Sequence, residues 1–136
     1  MARITKKLVS DLTVQEYRQL WGLTLGRYGT MQSDLGFERT RPESKAQAII
    51  LSQAGRVLGW ALLQPPEQGN NWWAGFFIRP NERRKGYGAQ LMRYVQKSFS
   101  PVQVWAYDNV SAEFFKHFED RIVCDKESRT WIDKVN

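Results

Sequence analysis

The segment from Ile78 to Met92, I-R-P-N-E-R-R-K-G-Y-G-A-Q-L-M, constrains the fold more than any other stretch of the chain. An apolar run, Trp72 to Ile78, leads into it, and Tyr87, Leu91, Tyr94, Val95 and Ser98 continue beyond it at helical spacing. Strand, basic glycine loop and helix therefore follow one another without a gap. That order puts backbone N–H groups at the positive end of a helix dipole, which is an anion site. Gly86 and Gly88 lack a Cβ and let the backbone approach a ligand, while Arg83, Arg84 and Lys85 add positive charge at the mouth of the turn. A pyrophosphate, which needs several converging donors, matches that set. The loop is not a P-loop, because G-x-x-x-x-G-K-[ST] is absent. Nor is it a dinucleotide fingerprint, because Leu91 stands where the third glycine of G-x-G-x-x-G belongs. Taken alone, G-x-G also fits an ordinary helix start beside a solvated basic face.

The remaining segments place this unit in a sheet. Arg3 to Val9 reads as a strand, and Thr13-Val14-Gln15-Glu16 as a capping box. Val14, Tyr17, Trp21, Leu25 and Tyr28 follow at helical spacing, which predicts a helix over 14–28 that stops at Gly29. Residues 30–45, with Asp34, Gly36, Pro42 and Ser44, show little periodicity and read as a long connection with at most one helical turn. Ala46 to Gln53 and Val57 to Leu63 form a hairpin signature around Ala54-Gly55-Arg56. A loop over 64–71, with Pro65, Pro66 and Gly69, precedes Trp72 to Ile78, whose two apolar faces are those of a central strand.

Pro101 separates a helix ending near Phe99 from a strand over Val102 to Tyr107, and Val110, Phe114 and Phe118 mark another helix. Ile122 to Cys124 and Thr130 to Ile132 read as a closing hairpin around Lys126-Glu127-Ser128. The element order is β-α-(loop)-β-β-β-α-β-α-β-β, with a right-handed parallel crossover between Trp72 and Tyr107. The fold class expected is α/β (α+β): a mixed, mostly antiparallel central sheet with helices on both faces.

At 136 residues the chain has the length of a single domain, 1–136. Its net charge of +6 favours anionic partners without choosing among nucleic acid, phosphorylated small molecules and acidic protein faces. The basic residues are not gathered in one terminal arm, which argues against a tail-type nucleic-acid binder. One cysteine, Cys124, and one histidine, His117, exclude an internal disulfide framework and leave no Cys/His set for zinc, so no metal is expected. Met1 to Ser10 lacks a signal-peptide core, and no apolar run approaches the ~20 residues that span a bilayer. The expectation is a reduced, soluble, cytoplasmic domain with no membrane partner.

The pattern Ile78-x-Pro80-x-x-Arg83-x-x-Gly86-x-Gly88-Ala89, continuing through Leu91-Met92, resembles motif A of the GCN5-related N-acetyltransferases (GNAT). There an aliphatic strand end and [Q/R]-x-x-G-x-[G/A] open the helix that cradles the coenzyme A pyrophosphate. The element order is similar to that fold along nearly the whole chain. The resemblance implies acetyl-CoA as co-substrate, with main-chain contacts from Phe77 and Ile78 to the pantetheine and thioester carbonyl. It implies that Arg83, Arg84, Lys85, Gly86, Tyr87, Gly88 and Ala89 hold the pyrophosphate. Asn109 and Ala112 match a further N-x-x-A element, whose Asn contacts the pantetheine arm; read as residues, Asn109 or Ser111 is equally a helix N-cap.

The side-chain chemistry departs from the family pattern. The tyrosine that acts as an acid in many members falls on Lys116, with Phe115 before it, and the glutamate base of histone-acetylating members falls on Trp72. Glu67, Tyr107 and His117 are neighbours in sequence only, so the catalytic residues are unknown. Trp72, Trp73, Trp105, Phe114 and Phe115 read as core, His117 as a surface partner of Glu113, and Cys124 as a small apolar residue.

The function implied is acetyl-CoA-dependent N-acetylation of a primary amine, on a small molecule or a protein, by direct attack in a ternary complex. A non-catalytic CoA-binding regulator on the same fold is the alternative. A basic nucleic-acid-binding domain is the second alternative; it needs an aromatic platform beside a basic groove, and a phosphate-rich cofactor already accounts for the basic cluster. The loops 30–45 and 64–71 are expected to shape the acceptor site. Neither the acceptor nor the oligomeric state is readable.

Overall fold

A computed structural model describes residues 2–23, 29–66, 71–99, 101–105, 109–118, 122–125 and 130–133. The first strand, β1 (Arg3–Leu8), passes through a 3-10 turn (Val9–Asp11) into helices α1 (Val14–Leu23) and α2 (Gly29–Arg39). Strands β2 (Gln47–Gln53), β3 (Arg56–Gln64) and β4 (Trp72–Ile78) follow as an antiparallel meander. A 3-10 turn (Pro80–Glu82) then leads to α3 (Tyr87–Ser98), β5 (Val102–Trp105), α4 (Asn109–Lys116), β6 (Ile122–Asp125) and β7 (Thr130–Asp133). The strands form one sheet in the order β1-β2-β3-β4-β5-β7-β6, in which β4 and β5 alone run parallel. The mixed, mostly antiparallel sheet is the expected one, with β7 seated between β5 and β6.

The period-2 alternation of the strands sorts two cores onto opposite faces. Ile49, Leu51, Leu63, Ala74 and Val104 pack under α3, through Leu91, Met92 and Val95, and under Phe115 of α4. Ala48, Ile50, Trp60, Leu62 and Phe77 pack on the other face against Leu20 of α1 and Met31 and Leu35 of α2. Ala54 and Gly55 take φ of 52° and 78°, the paired left-handed conformation of a tight hairpin turn, and Gln53 sits opposite Arg56.

The capping box forms as read: Thr13 N–H donates to Glu16 Oε1 (2.9 Å) and Glu16 N–H to Thr13 Oγ1 (3.1 Å). Lys7 Nζ also reaches Glu16 Oε1 at 2.9 Å, and the Thr13 N–H, then Lys7, hold that carboxyl below its usual range. The α1 stripe is corrected. Val14 and Trp21 are exposed, and Leu20 is the buried residue. Gly29, expected as a helix stop, is the first residue of α2, and the expected long connection over 30–45 is largely that helix. Leu25, Tyr28, Glu67, Tyr107 and 126–128 fall outside the described residues, as do the side chains of Trp105, Asn109 and Cys124.

Candidate active site

The site grows from the end of β4. Among the described residues its parallel ladder with β5 matches Trp72 to Val102, Trp73 to Gln103 and Ala74 to Val104. The described part of β5 ends at Trp105, and β4 continues to Ile78. The Trp72 N–H donates to Pro101 O on the β5 side (2.9 Å), whereas the Arg79 N–H donates to Leu58 O on the β3 side (2.9 Å). Backbone groups alternate along a strand, so the peptide groups of Phe76 and Ile78 face the β5 side and those of Phe77 face β3. The Phe77 ring is buried in the core beneath α1 and α2. Of the two expected main-chain contributors, Ile78 faces the β5 side and Phe77 does not; Phe76, which sequence reading missed, shares the side of Ile78.

The glycine loop lies directly after β4. Arg84 and Gly86 take left-handed φ of 65° and 86°, which folds the loop back over the start of α3. The first intrahelical bond runs from Gln90 N–H to Gly86 O (3.0 Å). The N–H groups of Tyr87, Gly88 and Ala89 therefore have no partner within the helix and point out of its positive end. A Cβ on Gly86 would meet nothing within 4 Å. A Cβ on Gly88 would stand 2.7 Å from Phe114 Cε1, so that glycine admits the α4 aromatic ring as well as any ligand.

The three loop cations are not equivalent. Arg83 folds back so that its Nε donates to Ile78 O (3.0 Å), with its guanidinium 5.9 Å from the Phe77 ring centre. Lys85 Nζ contacts Glu82 Oε2 at 3.1 Å, and Arg56 Nη1 reaches Glu82 Oε1 at 2.9 Å. Arg84 is exposed, with no ion pair among the described residues. Sequence reading missed Glu82 and Arg56. A carboxylate in a basic run reads as solvated, and Arg56 is 26 residues away along the chain.

The contact between β4 and α4 is aromatic. Phe76 approaches Phe115 at 6.1 Å and Phe114 at 6.4 Å between ring centres, and Phe115 packs on Trp131 at 5.3 Å. Lys116, at the expected tyrosine position, is exposed and paired with Glu113 (3.1 Å); Glu113 thus pairs with Lys116, not with His117. Trp72, at the expected glutamate position, stacks edge-on against Phe99 at 5.0 Å. Phe115 is buried core, as read, Phe114 is partly buried against that core, and Trp73 is 41% exposed.

The segments 41–45 and 64–66 do meet, around a cavity of about 640 Å³ that also takes in Glu38 and Trp73. It opens at the start of β4, roughly 17 Å along the strand from Ile78 at 3.3 Å per residue. The described parts of the two segments therefore meet at the end of β4 opposite Ile78. Among the described residues there is no cluster of potential metal ligands and no helix long and apolar enough to cross a membrane.

The family model "Acetyltransferase (GNAT) family" matches residues 9–121. The chain belongs to this family. GNAT acetyltransferases use acetyl-CoA as the acyl donor. The chain is similar in structure to an acyl-CoA N-acyltransferase from Pseudomonas aeruginosa, with 17% identity and a TM-score of 0.70 over 98% of this chain and 100% of that one. It is similar also to a GNAT-family acetyltransferase from Staphylococcus aureus Mu50, with 13% identity and a TM-score of 0.72 over the whole of both chains. A Brucella melitensis GNAT acetyltransferase, solved in complex with acetyl-CoA, has 11% identity and a TM-score of 0.69 over 100% of this chain and 89% of that one. At these identities the likeness is one of fold. No curated protein sequence matches the chain.

Proposed function

We propose that the protein is an N-acetyltransferase that moves the acetyl group of acetyl-CoA to a primary amine of a small molecule or a protein, within one domain spanning 1–136. The observation that carries this reading is the continuity of two donor sets. Peptide groups of Phe76 and Ile78 face the β5 side of β4, where the family resemblance implies a gap between the two strands, and the outward N–H groups of Tyr87, Gly88 and Ala89 follow one loop later. The first set suits a pantetheine arm and a thioester carbonyl, the second a pyrophosphate. Arg84 supplies charge at the second set. Asn109, as the first residue of α4, is placed on the element that follows β5, where a pantetheine contact is expected.

Acetyl-CoA supplies an activated thioester when bound. The chain's part is to hold it and to exclude water. The Phe76, Phe114 and Phe115 rings make one wall of the gap apolar, which strengthens any hydrogen bond from the Ile78 N–H to a carbonyl oxygen. Positioning of an amine beside that carbonyl supplies much of the rate without a dedicated side-chain base.

A second reading, a CoA-binding regulator without turnover, is favoured by Lys116 at the surface and Trp72 against Phe99, which leave those two positions without a phenol or carboxylate. Calorimetric titration with acetyl-CoA, followed by thiol release with a panel of amines, separates the two. Binding and release are expected from the native protein, and loss of binding from folded Gly86→Glu, whose new carboxylate enters the anion site. Binding without release supports the regulator. Unchanged binding by Gly86→Glu, or salt-sensitive RNA or DNA binding that acetyl-CoA does not displace, overturns the donor site.

A further inference from the structure

Glu82 places a negative charge beside a loop otherwise built to hold an anion. Its side chain is only 10% exposed, and both oxygens are taken, one by Arg56 and the other by Lys85. Lys85 first, then Arg56, hold the carboxyl below its usual range. A charge that merely tuned the local potential would weaken anion binding, so its burial here calls for a different role.

The geometry supplies one. The tip of the β2–β3 hairpin is tied to the cofactor loop at three points. Arg79 donates to Val57 O through Nε at the loop's start, and Arg56 grips Glu82 in the middle. The Tyr87 hydroxyl donates to Gln53 Oε1 (3.3 Å) at the far end. Between these ties the loop contains two left-handed residues, Arg84 at φ 65° and Gly86 at φ 86°. A non-glycine residue in that region is strained and persists only where its surroundings hold it. Glu82 is the one group of this set that joins the hairpin to the loop's interior, through Lys85.

We propose that Glu82 is a positioning residue for the cofactor loop. Its buried carboxylate locks Lys85 to Arg56 and thereby holds Arg84 and the N–H groups of Tyr87 to Ala89 in register for the donor's pyrophosphate. This rests on the acetyl-CoA reading above.

The sign of one substitution tests it. Glu82→Gln removes a negative charge and frees Lys85, so a purely electrostatic role predicts tighter acetyl-CoA binding. Positioning predicts weaker binding, by about tenfold, or about 1.4 kcal/mol, with KM for acetyl-CoA raised and kcat unchanged. Glu82→Asp keeps the charge but shortens its reach; about threefold weakening is expected, where a role in charge alone predicts none. Calorimetry on both variants, with thermal melts to establish folding, gives the answer, and Glu82→Asp carries the test if Glu82→Gln does not fold. Affinity unchanged or tightened in a folded variant overturns the inference alone. A native protein that binds no acetyl-CoA overturns the donor reading and this inference with it.

Discussion

Gly86 takes a left-handed φ of 86° with open space beside its Cα, whereas two residues later a Cβ on Gly88 would stand 2.7 Å from the Phe114 ring. The G-x-G spacing is visible in the sequence, but the two reasons for glycine are not. The first is a backbone conformation that any L side chain strains. The second is a helix–helix contact made by a residue 26 positions away, which no local pattern reports. The two substitutions are accordingly expected to behave differently. Gly88→Ala overpacks the α3–α4 contact and is expected to destabilise by about 1–3 kcal/mol, most of it recovered in the double variant with Phe114→Leu. Gly86→Ala carries only backbone strain, about 1–2 kcal/mol, and Phe114→Leu does not rescue it. Thermal unfolding of the single and double variants checks both, and an unperturbed Gly88→Ala would remove the packing account.

Helix α2 was hidden in the sequence because half of its buried face is polar. Met31, Gln32, Leu35 and Glu38 are all buried at helical spacing, and only two of them are apolar. Gln32 Nε2 donates to Trp21 O (2.7 Å) on α1, and the Ser44 hydroxyl donates to Glu38 Oε2. These bonds satisfy groups whose burial would otherwise be costly, and their partners are 11 and 6 residues away. Hydrophobic periodicity cannot register a stripe of that kind. By contrast α3 was legible, because Leu91, Met92 and Val95 are apolar and buried together. Within α2, burial first and the Glu38 charge second push the Asp34 carboxyl up. The folded chain therefore holds that proton more tightly than the unfolded one. Below the unfolded value near pH 4 both states are protonated and Asp34 costs nothing. As pH rises through the window above it, the unfolded chain ionises first and stability falls, leaving a deficit at neutral pH. Asp34→Asn is expected to raise Tm at pH 7 by about 1–2 °C, a small gain because solvent screens a half-exposed carboxylate. The gain should vanish below about pH 4; an equal gain at both pH values would refute the assignment.

Across the whole molecule the net charge of +6 favours a polyanionic donor, which on the proposed reading binds at the glycine loop. Electrostatic steering predicts that the association rate for acetyl-CoA falls about tenfold between low and roughly 0.5 M salt. A stopped-flow series that stays flat would locate the excess charge elsewhere. The segment from Ile78 to Met92 pointed to an anion site by itself, because glycines, cations and a helix start act over a few residues and need no distant partner. The strand order of the meander was readable for the same reason, since its turns are local. What tertiary packing decided is where each group points. The side of β4 on which Phe76 and Ile78 present their peptide groups depends on which neighbour takes the Arg79 N–H, and the loop's held shape depends on Arg56 reaching Glu82 from another hairpin. Both are contacts between segments far apart in the chain, and spacing along a sequence carries no record of them until the sheet brings those segments together.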